Sequence, residues 1–135
     1  MSWHSWDETA TWQKLAEVCQ QSRVGALEDE AWAAAVCKLL LPFRQAAAWY
    51  DKFTQGSQYA ALSDIQQGHV QEALRILIDT VSGFHLLLAT RSLAEMDVAQ
   101  ARLAIALQAG NAFQKRMATQ ANRDHPLETL AGGQR

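Results

Sequence analysis

Residues 32–53 read WAAAVCKLLLPFRQAAAWYDKF. Within them Trp32, Val36, Leu39, Phe43, Ala46, Tyr50 and Phe53 recur in steps of four and three, and the rhythm passes Pro42 without losing register. A proline inside a helix removes one backbone donor and clashes with the carbonyl four residues back. A register kept across it predicts one long helix over 28–53, kinked near 38–42, with two shorter helices meeting at Leu41 as the alternative. The same rhythm returns in Val70, Leu74, Leu77, Val81, Phe84 and Leu88, and again in Met96, Ala99, Leu103, Ala106, Gly110, Phe113 and Met117. Repeats near 3.5 residues mark helices that pack side by side.

Helix starts are written locally. Ser5 with Glu8, Ser63 with Gln66 and Ser92 with Glu95 each have the spacing of a capping box, in which hydroxyl and acid or amide satisfy each other's backbone donors. They predict helices over 5–20, 64–89 and 93–120. Glu28, Asp29 and Glu30 sit where the positive end of the long helix over 28–53 favours negative charge. Gly25 marks one loop, residues 54–62 another with an extra turn at Tyr59 to Leu62, and Thr90 to Ser92 a turn tight enough for an antiparallel hairpin. The third helix must absorb Gly68 and Gly83, at about 1 kcal/mol each relative to alanine. Residues 1–122 therefore form a single all-α domain, a four-helix bundle or a close relative, and 123–135 a flexible tail.

Composition narrows the function classes. The chain has 135 residues, 49% apolar and 19% charged, against about 25% charge in an ordinary soluble domain. That deficit points to surface buried against a partner. A net charge of −2 argues against an electrostatic nucleic-acid binder. No apolar run reaches the ~18 residues of a membrane span, and the N-terminus lacks a basic start and apolar core, so a cytoplasmic protein without membrane contact is expected. Cys19 and Cys37 fall on separate helices with no histidine at finger spacing; they read as small buried thiols, not as a disulfide framework or zinc site.

Chemistry-bearing patterns are sparse. A metal-holding bundle needs a glutamate followed three residues later by histidine on two helices, and here only the reverse order occurs, at His69 and Glu72, which reads as a solvated pair. His85, beside Phe84 among leucines, reads as a partly buried histidine. No nucleophile elbow, phosphate loop or dinucleotide fingerprint is present. The expectation is a protein with no catalytic residue, no metal and no cofactor. Arg75 and Asp79 are spaced for a helical ion pair of a few tenths of a kcal/mol.

Excess apolar surface is the functional clue. Val98, Ala101, Ile105, Ala109 and Ala112 form a second stripe on the last helix, with Ile105 about 200° from Leu103. Two opposed apolar faces need two neighbours, either because the helix is central in a monomer or because a second copy covers the outer stripe. Trp3, Trp6 and Trp49 are further anchors for a partner, the alternative being that Trp3 or Trp6 staples the first helix and Trp12 joins its core stripe. The leading reading is a non-enzymatic protein acting by protein–protein interaction, as adaptor, chaperone-like factor, inhibitor or assembly subunit, and forming a homodimer. One alternative is a bundle holding a small apolar ligand near Trp49, Tyr50, Phe84 and His85. Another is a subunit of a nucleoprotein complex, meeting phosphates through Arg102, Lys115, Arg116 and Arg123.

Overall fold

The computed structural model describes residues 6–124, with side chains up to Thr119. It contains α1 (Glu8–Arg23), α2 (Asp29–Phe53), the single turn α3 (Ser57–Ala60), α4 (Asp64–Leu88) and α5 (Leu93–Asp124), and no strand among the described residues. Helices α1, α2, α4 and α5 form an all-α bundle. No helix among the described residues is long and apolar enough to cross a membrane.

Two predicted caps are present. At α4 the Ser63 hydroxyl accepts from the Gln66 N–H at 3.2 Å and the Gln66 side chain accepts from the Ser63 N–H at 3.2 Å. At α5 the Ser92 hydroxyl accepts from the Glu95 N–H at 3.1 Å, while Glu95 reaches one residue further back, to the Arg91 N–H at 2.8 Å. The α1 cap differs from the sequence expectation. Asp7 holds the N-cap, its carboxylate accepting from the Ala10 N–H at 2.9 Å, and the helix starts at Glu8. The reason is that Glu8 is turned into the protein, 5% exposed and held by Gln114, so it cannot serve as the reciprocal partner of a box. Ser5 lies outside the described residues. Gly25 closes α1 at φ 74°, a conformation that favours glycine.

Helix α2 runs unbroken through Pro42, which excludes two helices meeting at Leu41. Pro42 and Lys38, the residue whose carbonyl loses its donor, both lie on the exposed side, where water can take the missing bond. The buried stripe is Trp32, Val36, Leu40, Phe43, Ala46, Tyr50 and Phe53. It contains Leu40 where the sequence reading placed Leu39, because an α-helix turns by 3.6 residues and the inward line steps by four twice before Phe43; Leu39 packs half-buried beside it. The extra turn in the following loop starts at Ser57, two residues before the predicted Tyr59. Tyr59 pins it down: its ring meets Phe53 edge-on at 6.2 Å, and its backbone and phenol oxygens accept from Gln67 and Gln71 at 2.9 and 2.6 Å.

Each long helix packs chiefly against two others, in the ring α1, α2, α4, α5 and back to α1. Neighbours run antiparallel. Down the α4–α5 pair, Gly83 lies against Leu103, Ile76 against Gly110 and Glu72 against Arg116, rising on one helix as it falls on the other. Between α1 and α5 the joints are Glu8 with Gln114 and Arg23 with Asp97. Gly83, which sequence reasoning treats only as a cost, is buried: a Cβ there would stand 3.1 Å from the Leu103 side chain, so the glycine lets α4 and α5 approach. The core is filled by fully buried Leu15, Phe43, Tyr50, Leu77, Phe84, Leu103 and Phe113.

Candidate functional site

Helix α5 lies at the side of the bundle, not at its centre. Met96, Ala99, Leu103, Leu107, Phe113 and Met117 face the core. On the opposite side Val98 and Ile105 are 57% and 67% exposed, and Ala101, Ala109 and Ala112 are exposed with them. The reading of α5 as a central helix, covered all round by its own chain, is therefore overturned. Five of the residues singled out as an interface share one open face.

That face is flanked by two shallow grooves between α4 and α5. The one beside the tight turn, about 500 Å³, is walled by large apolar groups, Leu86 and Val98, with Ala94 between them and Glu95 and Arg102 at its rim. Leu86, itself half exposed, belongs to this surface; the run Leu86, Leu87 and Leu88 reads in the sequence as apolar excess, and of its three residues Leu87 is the one fully buried. The second groove, about 170 Å³, is floored by Ala106, Ala109 and Ala112 and rimmed by Glu72, Arg75, Asp79 and Arg116. Arg75 and Asp79 stand 3.9 Å apart in solvent, a weak pair.

The tryptophans are placed differently from the sequence reading. Trp6 is not available to a partner: it is 9% exposed, stacks on Phe113 at 6.3 Å and meets Tyr50 edge-on at 6.2 Å. Its backbone N–H donates to the Gln114 side-chain oxygen at 3.3 Å, and Gln114 donates back to its carbonyl at 2.9 Å. Space for the indole exists because residue 110 is glycine; a Cβ there would stand 3.0 Å from Trp6 Nε1. Trp49 is half-buried, stacked on Phe53 at 5.3 Å and edge-on to Tyr50 at 4.8 Å. Trp3 lies outside the described residues.

The alternative sites do not assemble. Tyr50 and Phe84 are fully buried in packed core, whereas His85 is exposed, so these residues share no cavity wall; the reading of His85 as partly buried is corrected. Burial holds the Tyr50 phenol protonated. Glu72 does not pair with His69 but with Arg116 at 2.6 Å, since the antiparallel packing brings α5 within its reach. Arg116 also lies over the Phe113 ring at 5.7 Å, and Lys115 and Arg102 project about 140° apart around α5. No common phosphate-facing patch joins them, and the Arg123 side chain is outside the described region. Among the described residues no three His, Cys, Asp or Glu side chains come close enough to hold a metal ion.

Two further features escape the sequence. A cleft of about 410 Å³ opens where the α1–α2 and α4–α5 connections meet, lined by Ser22, Asp29, Trp32, Arg91 and Ser92. Its size is that of a small-molecule site, but the buried Trp32 Nε1 has no hydrogen-bond partner of normal geometry and sits beside the Cys19 sulfur, inside the core. Cys19 is buried, as expected, and burial pushes its thiol up; Cys37 is exposed, a correction whose cause is that it lies about 100° around α2 from Val36, off the buried stripe. Glu8 is the second feature. Burial beside Trp6 and Gln114 raises its carboxyl above the ordinary range, against the lowering effect of the hydrogen bond from Gln114. Compared with known proteins, the chain matches no family model, no curated protein and no solved structure.

Proposed function

We propose that this chain is a non-enzymatic interaction protein, an adaptor, chaperone-like factor, inhibitor or assembly subunit, that forms a homodimer through the outer face of α5. The observation that carries the reading is the open row of Val98, Ile105 and Leu86, each at least half exposed, around grooves with alanine floors. Large apolar groups gathered on one face gain about 25 cal/mol for each Å² they remove from water. Exposed alanines let a second helix come close. The reading places the protein in the cytoplasm, where the exposed free thiol of Cys37 stays reduced.

Light scattering on the full chain tests it. The wild type is expected to be dimeric at micromolar concentration, and Ile105→Glu monomeric with unchanged helical circular dichroism, because the 67% exposed Ile105 contributes little to the chain's own core. A wild type that stays monomeric at high micromolar concentration overturns the proposal.

A further inference from the structure

We propose that the two copies meet with α5 antiparallel to α5, on a two-fold axis at Ile105, an inference that rests on the outer face being a self-association surface. The outer face is symmetric about that residue in position and complementary in size. Ala101 and Ala109 lie four residues to either side, Val98 and Ala112 seven. An antiparallel pair therefore seats Val98 on the partner's Ala112 and Ala101 on the partner's Ala109. Large meets small at both ends. A parallel pair would set Val98 against its own copy at one end and leave Ala112 against the partner's Ala112, with a void between, at the other.

The flanking grooves follow the same rule. The apolar groove with Leu86 and Val98 lies on the turn side of Ile105, and the groove floored by Ala106, Ala109 and Ala112 lies beyond it, both on the α4 side. A two-fold axis at Ile105, perpendicular to the helix, lays one type on the other.

Charge selects the same arrangement. The pairings of Gly83 with Leu103 and Ile76 with Gly110 put Asp79 level with about residue 107 of α5. Across the axis Arg102 then meets the partner's Asp79, which at home makes a loose 3.9 Å contact with Arg75. Ten and eleven residues from the axis, Glu95 falls level with the partner's Glu72–Arg116 pair, whose charges already balance, so the selection rests on Arg102 and Asp79. A parallel pair would carry the partner's α4 flank to the other side of α5, so that Arg102 meets no Asp79. Opposite charges at matched positions fix register in this way.

Cysteine cross-linking reads the geometry directly, in full-length protein carrying Cys37→Ser so that only the introduced thiol is exposed. Ile105→Cys is expected to give a covalent dimer on mild oxidation. Val98→Cys alone is not, because its two copies stand about 21 Å apart along the pair, far beyond the roughly 7 Å between Cα atoms that a disulfide spans. Val98→Cys mixed with Ala112→Cys should cross-link. As a second measurement, Arg102→Glu is expected to weaken the dimer about tenfold, and Asp79→Arg in the same chain to restore it. Val98→Cys linking to itself as readily as Ile105→Cys overturns the antiparallel register. A wild type that is dimeric, and made monomeric by Ile105→Glu, yet shows neither the Ile105→Cys link nor the charge rescue, overturns this inference and leaves the dimer reading standing; a monomeric wild type overturns both.

Discussion

Trp6→Ala should unfold the bundle more easily by about 3 kcal/mol. Removing a buried tryptophan costs about 3–5 kcal/mol in well-packed cores. Trp6 is 9% exposed and in addition loses a stacked contact with Phe113 and an edge contact with Tyr50. Against this, it sits before α1 begins, where the chain can close over part of the cavity, so the lower end of the range applies. At this chain length each kcal/mol moves the melting temperature by roughly 3–4 °C, giving a fall of about 10 °C by circular dichroism. The urea midpoint should fall in step, with an unchanged slope. A shift under about 2 °C would refute the reasoning, because a surface substitution stays within about 0.5 kcal/mol; Trp6 would then be a side chain waiting for a partner.

Gly68→Ala should stabilise by about 1 kcal/mol, since a Cβ there meets nothing within 4 Å and the helix gains propensity; Gly110→Ala should instead destabilise, because overpacking against Trp6 at 3.0 Å and Glu8 at 3.3 Å costs about 1–3 kcal/mol and exceeds that gain. Equal effects at the two sites in urea melts would remove Trp6 from α5. Because the Glu8 carboxyl is raised in the folded state, folding favours its protonated form: its contribution is fully present below the ordinary glutamate range and is lost as pH rises through the raised value. Glu8→Gln should therefore flatten the pH dependence of the urea midpoint in that window and be no less stable than wild type at pH 7; a parallel pair of pH curves would contradict it. In native protein one thiol, Cys37, should react promptly with a chromogenic disulfide reagent, and Cys19 only at the rate of unfolding; two fast thiols would contradict the burial of Cys19.

The bundle was legible because its signals are local. Ser63 and Gln66, or Val70, Leu77 and Phe84, lie within one or two turns of each other, and a periodic line of apolar side chains has only one way to be buried. The single-residue difference between Leu39 and Leu40 comes from the same source, since a 3.5 rhythm and a 3.6 turn diverge slowly; Cys37 differs for another reason, lying about 100° around α2 from Val36 and so off the stripe. Trp6, Glu8, Gly110 and Gln114 were illegible for a different reason. Their contacts join positions more than a hundred residues apart in sequence, and nothing near Gly110 announces that its missing side chain is filled by an indole from the other end of the chain. The α5 surface falls between these cases. Its residues were visible as a second stripe, but whether a second stripe is core or surface depends on how many neighbours the helix has, which is a property of the ring α1, α2, α4, α5 and not of α5.

The exposed stripe and the N-terminal tryptophan are linked by that ring. Trp6 and Glu8 close α1 onto the flank of α5 that faces away from α4, through Gln114 and the gap at Gly110. With α4 on one flank and α1 on the other, only the sector of Val98, Ile105 and Ala112 is left open. A loose α1 would expose Leu107 and Phe113 as well, and a helix apolar on every side has no preferred register for a partner. The Trp6 lock thus holds α1 against α5 and keeps Leu107 and Phe113 covered. It follows that Trp6→Ala, besides lowering the melting temperature, should broaden self-association into higher oligomers, whereas Ile105→Glu should abolish it. Static light scattering of Trp6→Ala well below its melting temperature decides the point, and a mutant that keeps the wild-type stoichiometry would separate the lock from the interface.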